Sequence, residues 1–230
     1  MDLTSGSKKF SSLKATFIGS VILLLTLTIS QSFAGSVYRE YFAHMNKLFF
    51  DQITVRFEAS GASHLAKTRQ QLLDHINHAP INEDATLRYV NDLLNRVPQV
   101  GDAVHWGLED YWATPAEFIA SNGGDCEDFV IAKYFALRES GIPAEKLRLT
   151  YVKSFQSGKI ENHMVLAYYS APNAEPFLLD NLLPQMLPAS KRPDLLPVYE
   201  FNGELSAQFN GSALRKWDSL VEHMKKEFEL

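Results

Sequence analysis

The chain has 230 residues, of which 46% are hydrophobic and 21% charged, and its formal net charge is -5. This composition is typical of a globular protein, and after removal of a leader the length suits one domain with a sizeable core rather than two. The negative charge and the absence of a dense Lys/Arg cluster beyond Lys191-Arg192 and Lys225-Lys226 argue against a nucleic-acid partner.

The first 34 residues predict a secretory signal peptide. Three lysines precede the apolar run of residues 15–29, and residues 32–34 (Ser-Phe-Ala) end in small residues that suit cleavage after Ala34. The alternative is a membrane anchor, but the run is shorter than the ~18 to 20 residues expected of a spanning helix. We therefore expect residues 35–230 to form one exported domain with no stable membrane insertion.

Helical periodicity of apolar residues predicts amphipathic helices over residues 63–77 and 82–97 and a last one over residues 212–228. Residues 53–57 fit either a short strand or a linker. Residues 98–113 are expected to form a loop that leads into the next helix.

A further helix is predicted to begin at Thr114, because Pro115 suits the first helical position and Glu117 completes a capping box. Gly123-Gly124 ends that helix. The next helical pattern starts immediately afterwards, so Cys126 is expected to begin a helix.

Cys126 is the only cysteine in the chain and a candidate nucleophile. A thiol at a helix start lies near unpaired amides and the positive end of the helix dipole, which favour the reactive thiolate. The alternative is a small buried hydrophobic residue without reactivity. Export favours the catalytic interpretation, because structural cysteines outside the cytosol usually occur in pairs.

The period of the pattern then changes to that of an antiparallel sheet. Alternating residues predict strands over residues 147–152 and 163–168 with a turn at residues 156–159, followed by strands over residues 177–180 and 197–201. Helices followed by such a sheet indicate the α+β class. The Pro-rich span of residues 184–197 is expected to be an extended surface segment.

His163 and Asp180 are the best candidates for the base and its orienting group. In an antiparallel pair, opposite residues have a constant sum of residue numbers, and a sum of 343 for this pair leaves a four-residue loop at residues 170–173. Any odd sum keeps both side chains on one face of the sheet. A strand histidine with an ordinary structural role is the alternative.

Three acids, Asp125, Glu127 and Asp128, surround Cys126 and should raise the pKa of its thiol, against the effect of the helix dipole. A bound cation would resolve this conflict. Oxygen ligands outside the cytosol favour calcium first and magnesium second. The alternative is that the carboxylates are solvated or cap helix amides.

Residues 125–129 (Asp-Cys-Glu-Asp-Phe), 162–166 (Asn-His-Met-Val-Leu) and 178–181 (Leu-Leu-Asp-Asn) resemble the bacterial transglutaminase-like cysteine proteinases. Together with residues 112–118 they are similar to the LapG-type periplasmic proteases, which release large adhesins from the cell surface. The resemblance covers most of residues 35–230. It implies a papain/transglutaminase-like fold and a periplasmic location.

The resemblance also implies roles for the candidate residues. Cys126 would be the nucleophile, His163 the general base and then acid, and Asp180 the group that orients the imidazole. The family also has a calcium site beside the nucleophile, and its position corresponds here to Asp125, Glu127 and Asp128. The partners implied are a large surface adhesin, cut in its N-terminal region, and an inhibitory periplasmic domain of an inner-membrane cyclic-di-GMP receptor.

Two other functions share these residues. The acyl group could pass to an amine, as in a transglutaminase or amidase-type acyl transferase, or the chain could be a calcium-binding envelope protein without catalysis. In either enzyme the Cys126 amide would stabilise the oxyanion, and Trp106 and Trp112 are candidates for the second donor.

Overall fold

The computed structural model describes residues 38–79, 82–156, 158–204 and 211–229. The predicted signal peptide and its cleavage site lie outside these ranges. Within them, no helix combines the length and the apolar character needed to cross a membrane.

The longest helix, α1 (Lys47–His78), begins at Asn46, whose side chain accepts a backbone hydrogen bond from the first turn. The backbone of Glu58 has a φ of 61°, and the helix is kinked there. The helix predicted over residues 63–77 is confirmed. Residues 53–57 are helical as well, so the expectation of a strand or linker was wrong: their β-branched side chains favour strands locally, but burial of the helix against the core overrides that weak preference.

Four shorter helices follow: α2 (Glu83–Leu94), α3 (Asp102–His105), α4 (Pro115–Ser121) and α5 (Cys126–Glu139). The capping box predicted for α4 is present, because the Glu117 amide donates to Thr114 Oγ1 at 3.2 Å and the Thr114 amide donates to Glu117 Oε2 at 2.8 Å. Asn122 ends α4 in a left-handed conformation with a φ of 53°. The predicted helix starts at Thr114 and Cys126 are therefore confirmed.

In the described ranges, five strands form one antiparallel sheet in the order β4-β3-β2-β1-β5. The strands are β1 (Leu147–Gln156), β2 (Lys159–Tyr168), β3 (Phe177–Leu179), β4 (Leu187–Pro188) and β5 (Leu195–Phe201). The predicted strands and the turn between β1 and β2 are confirmed. Helix α5 packs against β1 and β2 and so brings Cys126 to the sheet.

The register of β2 against β3 differs from the expected one by two residues. Leu166 lies opposite Leu179 and Tyr168 opposite Phe177, so the connection spans the eight residues 169–176 instead of four. Two hydrogen bonds use the extra length: the Tyr169 amide donates to the Lys146 carbonyl at 2.8 Å, and a turn closes within the connection. The sum of residue numbers is still odd, which keeps His163 and Asp180 on the same face.

The Pro-rich span of residues 184–197 is not merely an extended surface segment, as the sequence suggested. It contains β4, a 3₁₀ turn (Ala189–Lys191) and the start of β5, and it buries Met186, Arg192 and Leu195. The physical reason is that one face of the sheet carries an apolar cluster that must be covered, and Leu195 belongs to this cluster. The segment therefore folds back over the sheet.

The C-terminal helix, α6 (Ser212–Lys226), packs on the core through the apolar face that the sequence predicts. The Trp217 ring stacks on Phe135 at 5.6 Å and meets Tyr134 edge-on at 5.3 Å. Aromatic pairs of this kind add to the stabilisation that burial provides. The helix therefore closes the core beside α5.

Candidate active site

The predicted nucleophile, Cys126, is the first residue of α5, and Asp125 is its N-cap in an extended conformation. The Asp125 amide donates a hydrogen bond to the Asp128 carboxylate at 3.3 Å. A Cβ atom at Gly124 would lie 2.6 Å from a carboxylate oxygen of Asp128 and from the Phe118 ring, so the turn requires glycine. Cys126 is partly exposed, so the residue is not sealed in the apolar interior.

The surroundings of the sulfur favour the neutral thiol. Cys126 Sγ donates a hydrogen bond to Glu127 Oε2 at 3.0 Å. Burial, followed by the charges of Glu127 and Asp125, raises the pKa of the thiol well above its ordinary value, and a hydrogen bond from the Met164 amide offsets only part of this. The expected effect of the acids on the thiol pKa is confirmed, and it adds to the larger effect of burial.

The three predicted metal ligands lie in overlapping groups with a residue that the sequence did not single out, Asp102. Carboxylate oxygens of Asp102, Asp125 and Asp128 lie within 4.8 Å of one another, and Glu127 forms a second such group with Asp102 and Asp110. Asp102 reaches the cluster because residues 99 and 100 pair with the turn before Cys126. No local pattern in the sequence indicates that contact.

The carboxylates of the acid cluster fit the ligand set of a hard cation such as calcium. Oδ1 of Asp102 and Oδ1 of Asp125 are buried without a hydrogen-bond partner in the described residues. Burial, and then the neighbouring carboxylates, raise the pKa of Asp125 to about 9 and the pKa of Asp128 well above its ordinary value. Crowded oxygen donors with unused lone pairs are the ligand set that calcium prefers.

His163 and Asp180 are in direct contact and both are buried. His163 Nε2 lies 2.8 Å from Asp180 Oδ1, which also accepts the Leu182 amide at 3.0 Å, and Asp180 Oδ2 accepts Arg192 Nη2 at 2.8 Å. Burial alone would raise the pKa of Asp180, but the hydrogen bonds and charge of His163, the Leu182 amide and Arg192 outweigh it and lower the pKa to about 2. Asp180 is therefore a carboxylate at any pH near neutrality.

The backbone of β2 links the thiol to this pair. The Met164 amide, one residue beyond His163, lies close enough to the Cys126 sulfur to lower the pKa of the thiol. Strand β3 ends at Leu179 opposite Leu166, so the edge of β2 beyond that point has no strand partner on this side. The Cys126 thiol thus lies beside β2, one residue along the strand from the histidine that pairs with Asp180.

The family follows from comparison with known proteins. The model of the bacterial transglutaminase-like cysteine proteinases matches residues 61–195, which is more than half of the sequence and includes all three of these residues. The chain belongs to this family.

Solved structures of LapG from Legionella pneumophila show the same fold. One is 37% identical with a TM-score of 0.62, and the match covers 76% of this chain and 97% of that chain. An EGTA-treated form is 35% identical with a TM-score of 0.62 and coverages of 76% and 97%, and a calcium-bound form is 36% identical with a TM-score of 0.61 and coverages of 76% and 98%. Among curated proteins, no match was found. The α+β, transglutaminase-like fold and the LapG-type cysteine proteinase family are therefore confirmed.

Two buried cations of the proteinase were not recognised from the sequence. Arg192 belongs to the span that the sequence predicts to be an extended surface segment, and Lys133 lies within the helix predicted to begin at Cys126. Lys133 is fully buried, and burial lowers its pKa to about 7 although the charges of Asp180 and Asp92 act in the other direction. Both cations lie near Asp180 only because of long-range packing.

The two tryptophans considered as oxyanion donors keep buried indole N–H groups for which the described residues offer no acceptor. The Trp106 ring packs against Tyr111 and Phe57, and Lys216 lies over the Trp112 ring. These contacts select neither indole as the second donor.

Proposed function

We propose that this protein is a calcium-dependent periplasmic cysteine endopeptidase that cleaves the N-terminal region of a large cell-surface adhesin and so releases it. The observation that carries the proposal is the buried His163–Asp180 pair, 2.8 Å between Nε2 and Oδ1, in a chain of this proteinase family whose cysteine begins a helix. A nucleophile, a base and an orienting acid are the groups that acyl transfer requires.

In the proposed reaction, Cys126 transfers its proton to His163 and the sulfur attacks the peptide carbonyl. Since a carboxylate only accepts hydrogen bonds, the contact with Asp180 assigns the proton of the neutral imidazole to Nε2 and leaves Nδ1 to exchange a proton with the thiol. The imidazolium then protonates the leaving amine as the C–N bond breaks. Water, deprotonated by His163, cleaves the thioester and regenerates the thiol.

The oxyanion would be stabilised by the backbone amide of Cys126. This amide lies in the first turn of α5, where N–H groups have no partner within the helix and the helix dipole is positive. The second donor would come from the preceding loop, where Trp106 and Trp112 stay candidates.

Calcium would be held by Asp102, Asp125, Glu127 and Asp128, whose oxygens crowd beside the nucleophile. When bound, it would compensate the negative charge that raises the pKa of Cys126. Support comes from the buried, unpartnered oxygens of Asp102 and Asp125 and from the existence of a calcium-bound form of the structurally similar LapG.

The biological setting is proposed on the similarity to LapG, which extends over 97% of the matched chain. Adhesin release would promote biofilm dispersal. Export would follow from the predicted signal peptide, and the periplasmic domain of an inner-membrane cyclic-di-GMP receptor would hold the enzyme inactive.

The test is to incubate the mature protein with exported N-terminal adhesin fragments, beside a Cys126→Ala variant of unchanged melting temperature. We expect the wild type to yield two fragments whose masses together equal the substrate plus one water, and the variant to yield none. Two chains joined with loss of ammonia would indicate a transglutaminase instead. Cleavage by both proteins would remove Cys126 from the mechanism.

The non-catalytic alternative needs a separate measurement, the rate of alkylation of Cys126 by iodoacetamide in excess calcium. An activated nucleophile should react faster than a model thiol at mildly acidic pH. Ordinary reactivity together with a lack of cleavage would favour a calcium-binding envelope protein.

A further inference from the structure

The side chain of Arg192 makes the only charged contact, among the described residues, with the oxygen of Asp180 that faces away from His163. Arg192 is 2% exposed, and its Nη2 lies 2.8 Å from Asp180 Oδ2. The opposite oxygen, Oδ1, accepts from His163 and from the Leu182 amide. Both carboxylate oxygens are thus engaged, and the carboxylate plane is fixed.

Arg192 is in turn fixed by Asp194. Its Nε lies 2.9 Å from Asp194 Oδ1 and its Nη2 lies 2.8 Å from Asp194 Oδ2, the two-point geometry in which guanidinium and carboxylate groups hold each other most firmly. The backbone contributes as well, because the Arg192 amide donates to the Ala189 carbonyl at 2.9 Å. The guanidinium therefore has one position, set by the segment that folds back over the sheet.

We propose that Arg192 is a positioning residue for the proposed proteolysis: it holds the Asp180 carboxylate so that Oδ1 meets the Nε2–H of His163, and thereby sets the tautomer of the imidazole. This inference rests on the proposed function. Arg192 is buried behind Asp180 and acts through it, so it does not belong to the groups that touch the substrate.

A purely structural role explains these contacts less well. Buried ion pairs seldom stabilise a fold more than apolar residues of the same volume would, because desolvation cancels most of their attraction. Among the described residues, the titratable groups that act on Asp180 are His163 on β2, Arg192 and Asp194 on the covering segment and, more distantly, Lys133 on α5. Only Arg192 combines a positive charge with a direct hydrogen bond to Oδ2.

The first experiment compares Arg192→Gln and Arg192→Lys with the wild type in the adhesin-fragment assay, with rates expressed per active site titrated by an alkylating inhibitor. We expect Arg192→Gln to lower kcat on the order of 10- to 100-fold, as removal of a group that orients a functional residue typically does, with KM unchanged. Arg192→Lys should recover part of the loss, because it keeps the charge but not the two-point geometry.

Lys191→Gln is the matched control, since it removes an exposed cation next to Arg192 in the chain without changing the contacts of Asp180. We expect its kcat to stay close to that of the wild type. A loss equal to that of Arg192→Gln, or an unchanged kcat per titrated site in Arg192→Gln with only a lower melting temperature, would overturn the proposal.

A second readout does not require proteolysis. In the Cys126→Ala background at alkaline pH, long-range ¹H–¹⁵N spectra report which nitrogen of His163 carries the proton. We expect the Nε2–H tautomer to dominate with Arg192 present and a mixture of tautomers in Arg192→Gln. Identical tautomers in the two proteins would refute the positioning role. If the tautomer changes in Arg192→Gln but the wild type cleaves no adhesin fragment, only the proposed function is refuted.

Discussion

The unusual acidity of Asp180 makes a quantitative prediction about stability. Its pKa is about 2 in the folded protein, against 3.8 for an ordinary aspartate. At about 1.4 kcal/mol per pKa unit, the difference corresponds to about 2 kcal/mol of folding free energy. Because the pKa of Asp180 is lowered on folding, this stabilisation is fully present at pH values well above 3.8, the ordinary pKa. It is lost as the pH falls towards the pKa of the folded protein.

The assay is urea denaturation of the wild type and of Asp180→Asn at several pH values. Asparagine does not titrate and leaves Arg192 without its buried partner, so the variant should be less stable near neutral pH. Between about pH 6 and about pH 2.5 the gap in unfolding free energy should narrow by about 1 to 2 kcal/mol, because only the wild type loses the contribution of an ionised Asp180. Parallel stability curves would refute the reasoning.

Two further predictions concern the turn that carries the nucleophile. We expect calcium to raise the melting temperature of the wild type and Asp102→Asn to lose most of that rise, because the variant removes one of the buried carboxylates. Asp218→Asn, which changes an exposed aspartate on α6, is the control. An equal calcium response in all three proteins would exclude Asp102 as a ligand. Gly124→Ala should destabilise the fold by about 1 to 3 kcal/mol, because the added Cβ would overlap the Asp128 carboxylate and the Phe118 ring. Urea denaturation checks this, and a change below about 0.5 kcal/mol, the scatter typical of a harmless surface substitution, would contradict it.

The parts of the site that the sequence predicted correctly are those set by local signals. The capping box at Thr114 and the change of pattern at Cys126 depend on residues within one or two helical turns, and such short-range hydrogen bonds form wherever the chain permits them. Similarly, the alternation around His163 predicted its strand. Asp180 could be placed on the same face by parity alone, even though the assumed register was two residues off.

The parts that the sequence did not reveal depend on long-range contacts. Asp102 joins the acid cluster because the backbone before it pairs with Gly124, and Arg192 reaches Asp180 because the segment around it folds back over the sheet. Each looked like an ordinary surface residue in its local sequence. The prediction for residues 53–57 was wrong for a related reason, because the packing of α1 outweighs the strand preference of their side chains.

The carboxylate beside His163 and the carboxylates beside Cys126 differ in whether nearby cations compensate their negative charge. Asp180 has a pKa of about 2 because His163 and Arg192 hydrogen-bond its carboxylate. Asp125 has a pKa of about 9 because, after burial, the charges that act on it come from other carboxylates, Glu127 foremost. The chain thus supplies its own cation for the half of the site that holds the imidazole, whereas the proposed calcium ion would supply one for the half that carries the thiol. The proposed calcium ion should therefore change the reactivity of Cys126 and leave the His163–Asp180 contact unchanged.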